Sequence, residues 1–166
     1  MSEPREIVRA AAAEDLPVLA ELMADSPLLA RYDITWAGAM GALESAWRAG
    51  DILLTAFEYN VPPFGLAWVI KSRILTGAAY LRLLLVAQDR QSGGVGSHLL
   101  GEAEQQAREF ANHMVLLVTA DNARARRFYE RCGYQHVGDL PGFAVPGLDE
   151  ALYQKALRPH GERLPV

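Results

Sequence analysis

The sequence predicts an α/β or α+β fold in which helices lie on one mixed sheet, and three observations carry that expectation. Apolar spacing alternates between helical and strand periods in the order strand, helix, helix, three strands, helix, strand, helix, two strands. One run, Tyr80-Leu81-Arg82-Leu83-Leu84-Leu85-Val86, is almost continuously apolar, as expected of a central strand covered on both faces. Just beyond it, Gln91-Ser92-Gly93-Gly94-Val95-Gly96-Ser97 crowds three glycines into the junction between that strand and the next helix.

A chain of 166 residues, 51% hydrophobic and 22% charged, is large enough for one real core and short for two. We expect one domain over 1–158 and a flexible tail over 159–166. The net charge of -4 argues against nucleic acid or an anionic membrane as partner. No apolar stretch reaches membrane-spanning length and the opening residues lack a secretory h-region, so the expected compartment is the cytoplasm. The single cysteine, Cys132, permits no intrachain disulfide and is expected to be a packed, inert thiol.

Each element has a local signature. Ile7-Val8-Arg9 reads as a short strand, and Asp15 caps a helix over 16–24 with Pro17 in its first turn. Thr35 opens a second helix through Trp47, which Gly50 ends. Strands follow at 52–59, 64–72 and 80–86, with turns at 61–63 and 75–77. The helix that starts at 94–95 sets Val95, Leu99, Leu100, Ala103, Ala107 and Phe110 inward, with Glu102, Glu104, Gln105, Arg108 and Glu109 facing out. Met114 to Thr119 is another buried strand, and Asp121 or Asn122 caps a helix through Arg131 that Gly133 terminates. Tyr134 to Val137 starts a strand, Gly138 to Gly147 reads as loop because of Pro141, Gly142, Pro146 and Gly147, and Glu150 to Leu157 is the last strand. Most of Trp36, Trp47, Phe57, Tyr59, Phe64, Trp68 and Phe143 are expected in the core, with Tyr32, Trp36 and Phe143 the first to consider as walls of an acceptor cleft.

The glycine stretch is the first candidate for chemistry. Backbone N–H groups from Gln91 to Ser97, at the start of a helix whose dipole points at them, can bind an anion such as a pyrophosphate. The glycines are out of register for a dinucleotide fingerprint, and no lysine follows as a Walker loop requires. His98, His113, His136 and His160 have no metal-ligand spacing and read as structural or surface residues. Asn122, Ala125 and Tyr129 fall three and four residues apart and share one side of a helix.

Together, Gln91-Ser92-Gly93-Gly94-Val95-Gly96 and the segment Asp121-Asn122-Ala123-Arg124-Ala125-Arg126-Arg127-Phe128-Tyr129-Glu130-Arg131-Cys132-Gly133-Tyr134 resemble two elements of the GCN5-related N-acetyltransferase (GNAT) family. The first matches its Gln/Arg-x-x-Gly-x-Gly/Ala pattern and the second its Asn-x-x-Ala-x-x-Phe-Tyr-x-x-x-Gly-Phe/Tyr pattern, with one helix and one strand between them. Likeness extends to Ile7–Ala10, the acidic residue before the first helix, and the closing segment 141–153. The resemblance implies a central mixed, mostly antiparallel sheet flanked by helices, and acetyl-CoA, with no metal, as acyl donor. It further implies that the amides of Gln91, Ser92, Gly93, Gly94, Val95, Gly96 and Ser97 hold the coenzyme A pyrophosphate, and that a backbone N–H near Leu85 or Val86 steadies the oxyanion. By the same resemblance Asn122 and Ala125 line the pantetheine arm and Tyr129 protonates the departing thiolate, while Arg124, Arg126 and Arg127, Arg127 foremost, either face the 3′-phosphate or adenine side or form a solvated helix face.

Two departures stand out: Ser92 replaces a frequent glycine, and Tyr80 occupies the position where some relatives carry a glutamate base. No acidic residue lies between Ala78 and Gln88, and Glu58 is the expected substitute as catalytic base, acting directly or through water. The expected acceptor is a primary amine of a small molecule, amino acid or protein. An acyl-CoA-binding regulatory or partner protein without turnover is the alternative, and a nucleotide hydrolase is disfavoured by the missing lysine and metal set. An edge strand near the C-terminus offers a route to a homodimer.

Overall fold

The structure is a computed structural model that describes residues 6–72, 75 and 77–158. The predicted order of elements is the observed one: β1 (Ile7–Ala10), α1 (Leu16–Ala24), α2 (Trp36–Ala49), β2 (Ile52–Phe57), β3 (Gly65–Lys71), β4 (Ala78–Val86), α3 (Val95–Ala107), β5 (His113–Thr119), α4 (Ala123–Arg131), β6 (Gln135–Val145) and β7 (Leu148–Ala156). The strands form one sheet in the order β1-β2-β3-β4-β5-β7-β6, with β4 and β5 parallel and the pairs β1–β2, β2–β3, β5–β7 and β6–β7 antiparallel. The expected tail, and part of the turn expected at 75–77, lie outside the described residues.

The chain divides into two compact units, Met1–Val69 with Leu83–Ala103, and Ile70–Arg82 with Glu104–Val166. In the first unit the core is built from Leu16, Leu19 and Met23 of α1, Leu43 of α2, Leu54 of β2, Leu66 and Val69 of β3, and Leu99 and Leu100 of α3. Asp15 stands at the N-cap position of α1, but its side chain bonds to no amide of that helix, and a 3-10 turn at Ala13–Asp15 precedes it. Its carboxylate accepts from Arg9 Nη1 at 2.6 Å and from the Ala12 amide at 2.7 Å, tying β1 to the start of α1. Burial opposes its ionisation, yet those donors win and hold the carboxyl below the ordinary aspartate range. Thr35 caps α2 by accepting from the Gly38 amide at 3.1 Å, and Gly50 ends it in the left-handed conformation at φ 73°.

Aromatic residues depart from expectation in this unit. Phe64 and Trp68 are buried, but Trp36, Trp47 and Tyr59 are exposed, the last to 85%. Among the residues of α2, only Ala39, Leu43 and Ala46 are buried, so its inward stripe is narrower than its apolar content suggests and leaves the Trp47 ring outside.

In the second unit β5 lies between β4 and β7 and contributes Met114, Leu116 and Val118 to the core, with Tyr153 of β7 fully buried. Glu104, expected to face solvent, is buried: its Oε2 accepts from Lys155 Nζ at 2.7 Å and its Oε1 from the Tyr134 hydroxyl at 3.1 Å. A carboxylate can sit there because a cation and a hydroxyl satisfy it. The segment expected as loop, 138–147, is also different. The strand that starts at Gln135 runs to Val145 as β6, with register shifts between His136 and Gly138 and between Leu140 and Val145. As the last strand in the sheet order, β6 needs no amide donors on its free side, so Pro141 is tolerated and bulges absorb the glycines.

Candidate active site

The glycine segment lies wholly in the first unit. β4 ends at Val86, a 3-10 turn spans Gln88–Arg90, and α3 begins at Val95. Two residues in the intervening loop are left-handed, Ser92 at φ 78° and Gly94 at φ 89°. The first is the position where the family pattern favours glycine, so Ser92 carries backbone strain of about 1–2 kcal/mol. A Cβ built on Gly94 would meet nothing within 4 Å, so the space beside Gly94 is open. No acidic residue belongs to the first turn of α3, and the Glu6 carboxylate reaches that turn through His98 Nδ1 at 2.9 Å. Val95 is buried and seats the helix start, whereas Gln91, Ser92, Gly93, Gly94 and Ser97 are exposed and Gly96 is partly so.

Side chains fix the loop from upstream. Gln91 Nε2 donates to the Val86 carbonyl at 3.0 Å, folding the amide back onto the end of β4. Arg90 Nη1 donates to Glu58 Oε1 at 2.9 Å, and its guanidinium lies 5.0 Å from the centre of the Phe64 ring. Glu58, expected as the substitute base, therefore has a carboxylate oxygen engaged by Arg90 just before the loop. Gly65 is required by close packing in this unit: a Cβ would stand 2.8 Å from Leu99 Cδ1 and 3.0 Å from the Ala56 Cβ. Leu85, one of the two residues expected near the oxyanion, is buried.

The second motif lies wholly in the second unit. Asn122 is the N-cap of α4, its Oδ1 accepting from the Ala125 amide at 3.1 Å. Tyr129 is the one buried residue of α4. Its ring meets Phe128 and Tyr134 edge-on, at 5.1 Å and 5.6 Å between centroids. No hydrogen bond to its hydroxyl is present among the described residues, so the phenol remains a donor in reserve. Burial, with a contribution from Cys132, pushes its pKa well above that of an ordinary phenol, so it stays neutral at physiological pH. Arg127 is exposed, and Cys132 is partly buried.

Residues that no motif names set the rotation of α4. Arg126 Nε donates to the Tyr153 hydroxyl at 2.9 Å, which in turn donates to Glu130 Oε1 at 2.9 Å, while Arg126 Nη1 donates to the Ala120 carbonyl at 3.1 Å. Arg126 and Glu130 stand four residues apart, so one buried tyrosine on β7 grips two successive turns. The i,i+4 Arg–Glu pair was the available sequence signal, but its partner lies 23 residues beyond Glu130. Among the described residues, no group of three or more His, Cys, Asp or Glu is arranged to hold a metal ion, and no helix is long and apolar enough to cross a membrane.

Comparison with known proteins bears on this pattern. No curated protein matches the chain by sequence. Among solved structures, a Salmonella typhimurium protein with its cofactor acetyl-CoA aligns at TM-score 0.77 and 19% identity over 96% of this chain and 98% of that one. A ribosomal-protein-alanine N-acetyltransferase from Brucella melitensis aligns at 0.76 and 23% identity, over 90% and 99%. An aminoglycoside 6′-N-acetyltransferase complexed with coenzyme A aligns at 0.76 and 16% identity, over 94% and 99%. At these identities the likeness is one of fold. The family model described as "Acetyltransferase (GNAT) family" matches residues 19–134, a span that takes in both motifs, and the chain belongs to that family.

Proposed function

We propose that the protein is an acetyl-CoA-dependent N-acetyltransferase acting on a primary amine of a small molecule, an amino acid or a protein. The observation that carries the reading is the loop conformation just before α3: Ser92 and Gly94 are left-handed, with open space beside Gly94. A backbone bent in this way turns successive amides toward one anion, and the coenzyme A pyrophosphate fits the charge of that site. Gln91, Ser92, Gly93, Gly94, Val95, Gly96 and Ser97 are the proposed pyrophosphate residues, with Arg127 toward the 3′-phosphate. Asn122 and Ala125 would line the pantetheine arm, and the amides near Leu85 and Val86 would donate to the developing oxyanion. The thioester supplies an activated acetyl group.

Tyr129 is the proposed acid. A phenol that burial keeps neutral retains the proton that a leaving thiolate needs. Glu58 is the proposed base, acting directly or through water, and its Oε1 also anchors Arg90 just before the loop. The reaction is assigned to the cytoplasm, with no nucleic-acid or membrane partner, and β6 is the edge through which two copies would pair.

A second reading, a coenzyme A-binding partner protein without turnover, is favoured by one observation: β4, Ala78–Val86, carries no carboxylate. Free thiol released from acetyl-CoA in the presence of an amine panel separates the two. Turnover supports the enzyme; tight coenzyme binding with no turnover against any amine supports the binding protein.

A further inference from the structure

Helix α4 is nine residues long, and Tyr129 alone among them is buried. A helix ordinarily takes its rotation about its own axis from a stripe of buried side chains, and a single ring does not make such a stripe. Rotation matters here because the Tyr129 hydroxyl is the proposed proton donor. At about 5–6 Å from the helix axis, a turn of about 10° moves a side-chain tip by about 1 Å. The angle of α4 must therefore be held by contacts other than apolar packing.

Tyr153 is placed to hold it. The residue is fully buried on β7, opposite Leu116 of β5 on one side and opposite His136 of β6 on the other, so its backbone is fixed by a ladder on both edges. Its ring lies 5.4 Å from the His136 ring between centroids. At α4 its hydroxyl accepts from Arg126 Nε and donates to Glu130 Oε1, each at 2.9 Å. Both bonds join the hydroxyl to an ionised group, which makes them stronger than bonds between neutral partners. Arg126 and Glu130 are four residues apart, and Tyr129 stands beside Glu130, about 100° round the helix from it. Arg126 Nη1 also donates to the Ala120 carbonyl at 3.1 Å, just beyond β5. At the other end of α4 the Tyr134 amide donates to the Tyr129 carbonyl at 3.0 Å, and the two rings meet edge-on. Tyr134 is itself held through Glu104 by Lys155, two residues along β7 from Tyr153 and on the same face.

We propose that Tyr153 is a positioning residue for the reaction: its hydroxyl, through Arg126 and Glu130, sets the rotation of α4 and so aims the Tyr129 phenol at the departing thiolate. The assignment rests on the acetyltransferase reading given above. The proton given to the sulfur is that of Tyr129, and Tyr153 acts only through the helix. Loss of its two bonds leaves α4 folded, because the Asn122 cap and the ladder within the helix do not depend on them. What changes is the freedom of the helix to turn. A misplacement of about 1 Å at a reacting group costs up to about 100-fold in rate, so the hydroxyl of Tyr153 is read in kcat and not in donor binding.

The test uses the full chain, acetyl-CoA and three amines: spermidine, L-lysine and a tetrapeptide with a free N-terminus. The amine that wild type acetylates fastest is carried forward. Tyr153→Phe keeps the buried ring, removes the hydroxyl, and is expected to lower kcat about 10- to 50-fold, with coenzyme A affinity by calorimetry within about two-fold of wild type. The deciding comparison repeats the substitution in Tyr129→Phe, where the aimed hydroxyl is gone. There Tyr153→Phe is expected to change the remaining kcat by less than about two-fold. Glu130→Ala, at an exposed position, removes one of the two bonds and is expected to lower kcat about five-fold. Glu130→Gln, whose amide oxygen still accepts from the hydroxyl, should regain part of that loss. Equal fold losses from Tyr153→Phe in the two backgrounds, or a kcat within about three-fold of wild type in the single variant, overturn the assignment while the acetyltransferase reading stands. Where circular dichroism shows Tyr153→Phe unfolded, the Glu130 variants decide in the same two backgrounds, and equal rates for Glu130→Ala and Glu130→Gln overturn the assignment. Wild-type protein that binds coenzyme A yet transfers acetyl to none of the amines overturns that reading and the assignment together.

Discussion

The glycine loop and α4 carry the two motifs in opposite ways. At 91–97 the proposed working groups are backbone amides, most of the residues are exposed, and what the sequence must supply is permission for left-handed turns at residues 92 and 94. At 122–131 the proposed working groups are side chains, and Tyr129 is buried on a helix gripped by Tyr153. A site made of backbone tolerates changes in side chain and fails when conformation changes. A site made of side chains fails with the loss of a single oxygen atom.

That contrast sets the size of the expected effects. Tyr129→Phe removes only the hydroxyl, keeps both edge-on ring contacts, and should lower kcat by about 100–1,000-fold with coenzyme A affinity unchanged. An equal loss of affinity would move Tyr129 from the chemical role to a packing one. Lys155→Ala strands the buried Glu104 carboxylate and should reduce unfolding stability by about 2–4 kcal/mol in a urea titration. Gly94→Ala forces an L side chain to φ 89°, and we expect about a ten-fold weaker coenzyme A Kd, equivalent to about 1.4 kcal/mol, together with a loss of folding stability of about 1–2 kcal/mol.

How far these features could be read in advance follows from the same contrast. The order of helices and strands was legible because it rests on local spacing and punctuation, and the Asn122 cap and the Gly50 and Gly133 stops stand where local chemistry puts them. Motif glycines revealed the loop, and Ser92 could be singled out as the departure that the backbone then shows to be strained. What was not legible depends on partners distant in sequence. Gly138 to Gly147 reads as loop by composition, yet pairing with β7 draws it into a strand. Glu104 looks solvent-facing until Lys155 and Tyr134 close on it, and Glu150 looks like an ordinary strand-end acid until the register with Thr119 buries it. Helical period alone left Trp47 on the inward stripe, and no local signal marks how narrow that stripe is.

Two smaller effects sharpen the comparison further. Burial, reinforced by Glu104, holds the Tyr134 phenol well above its ordinary pKa, and burial does the same for Tyr129. The unfolded chain ionises these phenols near pH 10 while the native state keeps them neutral, so their contribution is intact below about pH 10 and is lost as pH climbs beyond it. Urea midpoints measured from pH 8 to 11 should fall steeply in wild type and less steeply in Tyr134→Phe. Ser92→Gly should relax the left-handed strain and raise stability by about 1 kcal/mol, with coenzyme A affinity retained. A loss of affinity instead would assign the serine hydroxyl a direct part in the anion site.

The central claim is that the amides of residues 91–97 hold the diphosphate of an acyl donor. Calorimetric titration of coenzyme A into folded wild-type protein tests it most directly. We expect saturable one-site binding in the micromolar range, lost in part in Gly94→Ala and retained in Tyr129→Phe. No binding heat from a protein whose circular dichroism and thermal midpoint show it folded would contradict the account.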